Sequence, residues 1–320
     1  MIYMLNPDAP VRIVTVLSVI FAFVCTFLTI RHGMQYLPKD GGRAFAINGT
    51  KSVGKPRGAG IIIWIVFTIA AFIFLPMSVE MAVYLALAFV EMLSGYFDDA
   101  SEKPWSRLKK GLLDFAVAAG SAVNFLYFND NSFYIAYTNT KVTLHPVIYG
   151  ILIVVLIWAA INVTNCSDGV DGLCTTLSCV TLVSVYLLMR SFGYDPAYRH
   201  MLMVLIVCLL AYLWFNTSPS QILMGDAGSR AIGIMIAYAF LKLYHPLLFI
   251  PLALILILDG GLGLIKVTCI KVFHKNPMKN LRTPIHDHFR KNKEWSDPQV
   301  VSRLVIVQVV IAVAVLYTVF

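Results

Sequence analysis

Charge is what this sequence has least of. Lys, Arg, Asp and Glu make up 13% of its 320 residues, about half their share in an ordinary soluble domain. That excludes a soluble globule with a charged surface, since 59% of the chain is hydrophobic. Cysteine is sparse and unpatterned. The six cysteines (25, 166, 174, 179, 208 and 269) lie in or beside apolar runs, with no zinc-type pairing and no disulfide framework. No glycine-rich P-loop is present, so an ATP site is not expected. No soluble basic module is left to bind nucleic acid. No inverted internal repeat of the kind that marks many secondary transporters is visible.

Long apolar runs are abundant instead. Stretches of the length a bilayer-spanning helix needs, about 17 to 25 residues, recur along the chain. The first, Val11 to Ile30, has no basic n-region and outruns a usual signal core, so it reads as a true span. Ten spans are expected, at 11–31, 58–75, 79–97, 111–128, 146–163, 172–190, 200–215, 229–243, 247–270 and 301–320. This predicts an all-α, polytopic integral membrane protein. Polar connectors then alternate between two sides, and 31–57, 98–110 and 271–299 carry six, four and seven Lys/Arg residues on one of them. Basic loops mark the cytoplasmic face, which puts both termini on the far side. The net charge of +8 is largely this topology signal, reinforced by attraction to anionic lipid.

The acids sort by the same topology. Asp98 and Asp99 close span 3 in "GYFDDA", Asp168 and Asp171 follow span 5 in "NCSDGVDGLC", and Asp226 follows span 7 in "MGDAGSR". All five fall at cytoplasmic membrane ends, where charge is costly and usually lines a functional cavity. Carboxylates so grouped repel one another unless a cation sits among them. Mg²⁺ is a natural one, because it takes one or two carboxylates and completes its shell with water and phosphate.

Plain structural readings stand beside each motif. "FDD" also suits a solvated helix end, Asp171 with Gly172 suits a helix N-cap, and "GDAGS" suits a turn into span 8. "DGVDG" lacks the alternating acids and late Glu of an EF-hand. Asp168 and Asp171 would share a face if their turn were helical. Lys55 and Arg57, in the glycine-rich stretch 48–60, suit a phosphate or lipid headgroup and equally an ordinary positive-inside flank. His286 and His288, with Arg282, Arg290 and Lys291 nearby, suit contact with a diphosphate. Asp259, alone inside span 9 before two glycines, reads as a helix break or an interior polar contact.

Five strings occur in order: "LPKDGGRAFAINGTKSVGKPRGAG", "GYFDDA", "NVTNCSDGVDGLC", "LWFNTSPSQILMGDAGSRAIG" and "TPIHDHF". Together they resemble the polyprenyl-phosphate N-acetylhexosamine-1-phosphate transferase superfamily over nearly the whole chain. The Pro–x–His–x–His–Phe element favours its peptidoglycan branch over the N-acetylglucosamine branches. The resemblance implies one catalytic domain, 1–320, with the active site built from loops 31–57, 98–110, 164–171, 216–228 and 271–299 on the cytoplasmic face of a bacterial membrane. It implies transfer of phospho-N-acetylmuramoyl-pentapeptide from a UDP carrier to undecaprenyl phosphate, with Mg²⁺ as cofactor and a homodimer as the possible assembly. A transporter or lipid flippase is the alternative from another class.

By position, the resemblance implies that Asp98 and Asp99 stand near the acceptor phosphate as catalytic residues. Asn165, Asp168 and Asp171 match the polar cluster of the cleft, Asn216 the nucleotide side, and Asp226 the catalytic Mg²⁺ ligand. His286 and His288 match the outer members of a His-His-His element, the first binding substrate and the second catalytic. Lys51 matches an active-site lysine that binds substrate. The chain departs from the pattern at three places. Asp287 replaces the middle histidine, Gly-Lys-Pro-Arg-Gly-Ala-Gly (54–60) replaces Thr-Pro-Thr-Met-Gly-Gly, and Leu223 replaces an aromatic three residues before Asp226.

Overall fold

Apolar side chains on nearly every helix turn leave one solution in a bilayer: helices that satisfy their own backbone hydrogen bonds and pack on one another. A computed structural model describes residues 1–6, 10–42, 52–101, 103 and 105–319. Its principal helices are α1 (Val11–Gly33), α2 (Gly60–Phe74), α3 (Val79–Asp99), α4 (Arg107–Phe128), α5 (Pro146–Cys166), α6 (Leu173–Ser191), α7 (Pro196–Asn216) and α8 (Gly225–Lys242). A bent segment follows, α9 (Pro246–Leu252) and α10 (Leu254–Phe273). Two more helices, α11 (Ile285–Asn292) and α12 (Asp297–Val319), complete the chain. Their starts are chemically marked. Ser78 accepts from the Met81 amide, Ser106 from Lys109, and Asp195 from Ala197 ahead of Pro196.

The protein is thus all-α and polytopic. Among the described residues, seven helices are long and apolar enough to cross a membrane, and eight if the bent pair counts as one span. The expected second and eighth spans are present as helices but do not pass on length and composition. α2 has 15 residues, and α8 carries Asp226, Arg230 and Lys242. The reason is position. Every residue of α8 is buried, so it needs no lipid-facing hydrocarbon. It packs chiefly on α3 and α5 and forms the axis of the bundle. Small residues permit this: a Cβ at Gly233 would stand 2.6 Å from the Ala160 carbonyl oxygen of α5.

α1 and α12 are peripheral. Each buries a stripe at helical spacing, Val14, Ser18, Ala22, Thr26 and Ile30 in one, Val300, Leu304, Gln308, Ala312 and Val315 in the other. Their remaining faces expose Val and Ile, an arrangement suited to lipid. An antiparallel hairpin, β1 (Ser132–Ile135) with β2 (Thr140–Thr143), fills the α4–α5 connector. No strand was expected there, because a short connector rich in Asn, Asp, Ser and Thr reads as a loop.

The bend between α9 and α10 is 73°. Breaking a helix inside a bundle frees amide and carbonyl groups that need partners. Gln308 of α12 supplies both kinds: its Oε1 accepts from the Ile255 amide (2.9 Å), and its Nε2 donates to the Leu252 carbonyl (3.0 Å). Thr181 of α6 donates to the same carbonyl at 2.9 Å. Gln308→Leu is therefore expected to destabilise the fold by about 1–3 kcal/mol, the cost of orphaning buried polar groups. Thermal unfolding of detergent-purified protein, followed by size-exclusion chromatography, measures this. An unchanged midpoint would mean the bend holds without Gln308.

Candidate active site at one end of the bundle

The chain brings the ends of α3, α5 and α7 and the starts of α4 and α8 to one end of the bundle, and with them most of the expected residues. Asp226 occupies the first turn of α8, where the helix dipole favours a carboxylate. The approach is possible because α3 carries a glycine. A Cβ at Gly95 would overlap the Asp226 backbone. Gly225 is required twice over: its φ is +74°, and a side chain there would strike the carboxylate of Asp99.

Two cations lie among the carboxylates. Arg57 places Nη2 2.9 Å from Asp99 Oδ1 and 3.6 Å from Asp226 Oδ1, while its Nη1 lies 3.4 Å from Asp40. Lys110, from the first turn of α4, pairs with Asp98 and places Nζ 3.0 Å from Asp226 Oδ2. The second oxygen of Asp99 accepts from the Ala227 amide at 3.1 Å, and Asp98 accepts from the Trp105 amide at 2.7 Å. Burial opposes the charge on Arg57, but Asp99, Asp226, Asp40 and Asp168 around it more than offset this. Its pKa is held above the ordinary guanidinium value.

Backbone pairing holds Arg57 there. The Leu223 amide donates to the Pro56 carbonyl (2.8 Å) and the Ala59 amide to the Leu223 carbonyl (3.1 Å), so stretch 54–60 runs beside the approach to α8. Leu223 thus serves through its backbone at this junction. Asp40 fixes the other edge, its amide donating to the Lys55 carbonyl at 2.8 Å.

The neighbouring turn 167–172 is not helical, so a shared helix face for Asp168 and Asp171 does not arise. Nor is Asp171 an N-cap. Gly172 holds that position with φ +83°, and its amide donates to Asn216 Oδ1 (2.9 Å). Asp171 accepts instead from the Ser220 amide (3.0 Å) and lies 3.8 Å from Lys55 Nζ. The α7–α8 connector therefore already satisfies this carboxylate. Asp168 belongs to the cluster through its field on Arg57. Asn165 donates to Ser229 one turn along α8 (3.0 Å), and Asn216 closes its own connector by donating to the Ile222 carbonyl (2.9 Å).

His286 joins the site from α11. Its amide and its Nδ1 both meet the carboxylate of Asp259, at 2.7 and 2.8 Å, within a π-helical turn of α10 (Ile257–Gly261). Asp259 is thus both at a widened helix and an interior partner. The other edge of the ring abuts Gly169, where any Cβ would overlap it. His288 is held within its own segment, its Nδ1 accepting from the Arg282 amide at 3.3 Å. Lys51 lies outside the described residues.

Sequence reasoning left Arg57 undecided and did not single out Lys110 or Asp40. It also missed Arg230, one turn deeper on α8, which pairs with Glu91 of α3 (2.7 Å) and with Asp114 of α4. The available signal was Glu91 and Asp114 themselves, carboxylates inside apolar spans that require a buried cation.

Residues 81–244 match the family model described as glycosyl transferase family 4, and the chain belongs to that family. Its relatives include phospho-N-acetylmuramoyl-pentapeptide-transferases. That of Treponema pallidum (strain Nichols) is 34% identical over 316 residues, covering 93% of this chain and 87% of that protein. Those of Clostridium acetobutylicum and Dictyoglomus thermophilum are each 29% identical, covering 93% and 94% of this chain and 96% and 97% of their own lengths.

Burial lowers the pKa of His286, but Asp259 and then Asp287 outweigh it and raise the value above the ordinary 6.5. A raised pKa means the contact stabilises fully below the ordinary histidine value and is lost as pH rises through the folded one. Protection of segment 279–292 from limited proteolysis should therefore fall on alkalinisation. In Asp259→Asn it should be low and nearly flat with pH. A wild-type profile no steeper than the variant's would remove the histidine from that role.

Proposed function

We propose that the protein transfers phospho-N-acetylmuramoyl-pentapeptide from its UDP carrier to undecaprenyl phosphate, giving lipid I and releasing UMP. The observation that carries this is the Asp98–Asp99–Asp226 cluster, paired with Arg57 and Lys110, at the end of a polytopic bundle whose relatives bear that transferase name. One phosphoanhydride is exchanged for another, so no nucleotide triphosphate is consumed. The site faces the cytoplasm of a bacterial membrane in this reading, where the basic loops and the soluble donor both lie.

Catalysis here is alignment and charge neutralisation. The acceptor's phosphate has a second pKa of about 6 and is mostly dianionic at neutral pH, so a strong general base is unnecessary. Its oxygen attacks the sugar-linked phosphorus directly, with Asp98 orienting it or taking a residual proton. Arg57 and Lys110 are the side chains able to meet phosphate oxygens there, each exchanging a carboxylate for a phosphate partner. Asn216 and the 216–228 connector form the nucleotide side, and Asn165, Asp168, Asp171 and His286 support the cleft. His288 and Lys51 keep the roles the resemblance implies.

Mg²⁺ suits the donor set. Three carboxylates against two cations leave one negative charge over, and Mg²⁺ needs only hard oxygens from one or two of them. Asp226 would hold it, with Asp98 or Asp99 beside it. Bound there, the ion would neutralise charge on the donor diphosphate. No group of three or more His, Cys, Asp or Glu poised to bind a metal occurs among the described residues.

Purified protein given undecaprenyl phosphate, Mg²⁺ and UDP-N-acetylmuramoyl-pentapeptide should release UMP, and should not with UDP-N-acetylglucosamine. The reverse preference would move it to another branch. Asp226→Asn should lower that rate by about 10²–10³-fold or more while eluting as folded protein. Near-normal turnover would refute the assignment of Asp226.

A further inference from the structure

On the outer side of α11, away from the acidic cluster, segment 279–292 and one face of α10 enclose an open depression of about 640 Å³. Its wall carries four cations, Lys266 from α10 with Lys279, Arg282 and Lys291. Against them stands one acid, Asp287, already 3.4 Å from Arg290. Among the described residues, none of the four has a carboxylate within ion-pair distance. The Lys266 ammonium is fixed by the Leu281 carbonyl at 2.6 Å. Positive-inside flanks scatter along a membrane surface, whereas these cations converge on one concavity, so the depression is built for an anion. Leu281 is its only hydrocarbon side chain, which suits a water-borne anion better than a lipid headgroup with acyl chains attached.

We infer that this depression binds carboxylates on the peptide of the donor, an assignment that rests on the transferase reading above. A peptide joined to the sugar through its amino end presents at least its terminal carboxylate. Five extended residues reach about 17 Å. The eight-residue α11 lines the depression with Asp287, Lys291 and Asn292. It meets the 167–172 turn at Gly169 through His286 and Arg290, and a helix with its side chains is about 10–12 Å across. A donor with its sugar phosphate at the Asp226 cluster therefore trails its peptide across α11 toward Lys279 and Lys291.

Calorimetric titration of the protein in nanodiscs tests this with two ligands, UDP-N-acetylmuramoyl-pentapeptide and the same molecule with its peptide carboxylates amidated. Wild-type protein should bind the amidated ligand about tenfold more weakly. Lys279→Gln/Lys291→Gln should bind the native donor about as weakly as wild type binds the amidated one, and should not distinguish the two. Lys279→Arg/Lys291→Arg should restore discrimination, which shows that charge and not folding is read. Equal affinity of wild type for both ligands would overturn the inference. So would a loss in the glutamine variant that is the same for both ligands, or one seen only in nanodiscs containing anionic lipid. Failure of wild type to bind the native donor at all would instead overturn the transferase reading.

Discussion

Everything at the functional end turns on neutralising Asp226. Its carboxylate sits in the first turn of the most buried helix of the bundle, where an unpaired charge would cost several kcal/mol. Arg57 and Lys110 remove that cost and, in doing so, tie four segments of the chain to α8. Arg57 brings stretch 54–60 and, through Asp40, the first part of the α1–α2 connector. Lys110 brings the start of α4 and, through Asp98, the end of α3. Burial thus creates a demand for cations, and meeting it assembles the site. In the proposed reaction the same cations would meet the phosphate, so binding and structural integrity would draw on one set of charges.

A second support works through helix irregularity. Where α9 and α10 bend inside the bundle, Gln308 and Thr181 meet the freed backbone groups. A few residues on, the π turn carries Asp259, buried and aimed at α11. The bend, the widened turn and the aspartate together set where His286 stands. Gly169 then lets the 167–172 turn close against the imidazole. The two supports meet at that turn, since Asp168 acts on Arg57 while Gly169 touches His286.

Much of this was legible in the sequence because the rules that govern acids in apolar sequence are strict. A carboxylate at membrane depth must have a use, and five at one face pointed to one site. The cations were harder to read for an equally physical reason. Lys and Arg at the ends of spans are already explained by topology, so Arg57 and Lys110 carried no excess signal. α8 misleads in the opposite way: a helix wrapped by others can carry Asp226, Arg230 and Lys242 and still lie at the centre. The N-cap alternative for Asp171 failed because a local cap and a long-range contact draw on the same residue types. Only the fold reveals that the Ser220 amide, 49 positions away, holds it.

The departures from the family pattern follow from the same geometry. Stretch 54–60 meets the 222–224 backbone through main-chain hydrogen bonds, which depend little on side-chain identity. Arg57 can therefore occupy this stretch in place of the string the resemblance implies, provided its charge finds partners. Asp40, Asp99 and Asp226 supply them. Leu223 is tolerated for the same reason, since its amide and carbonyl carry the junction. Asp287 differs in kind. It does not reach the Asp226 cluster, but it faces Arg290 and the basic depression and lies 3.9 Å from the far nitrogen of His286. A histidine there would add positive charge to a wall that already has four cations. An aspartate instead limits the surplus beside His286 and helps raise the pKa of that imidazole against burial.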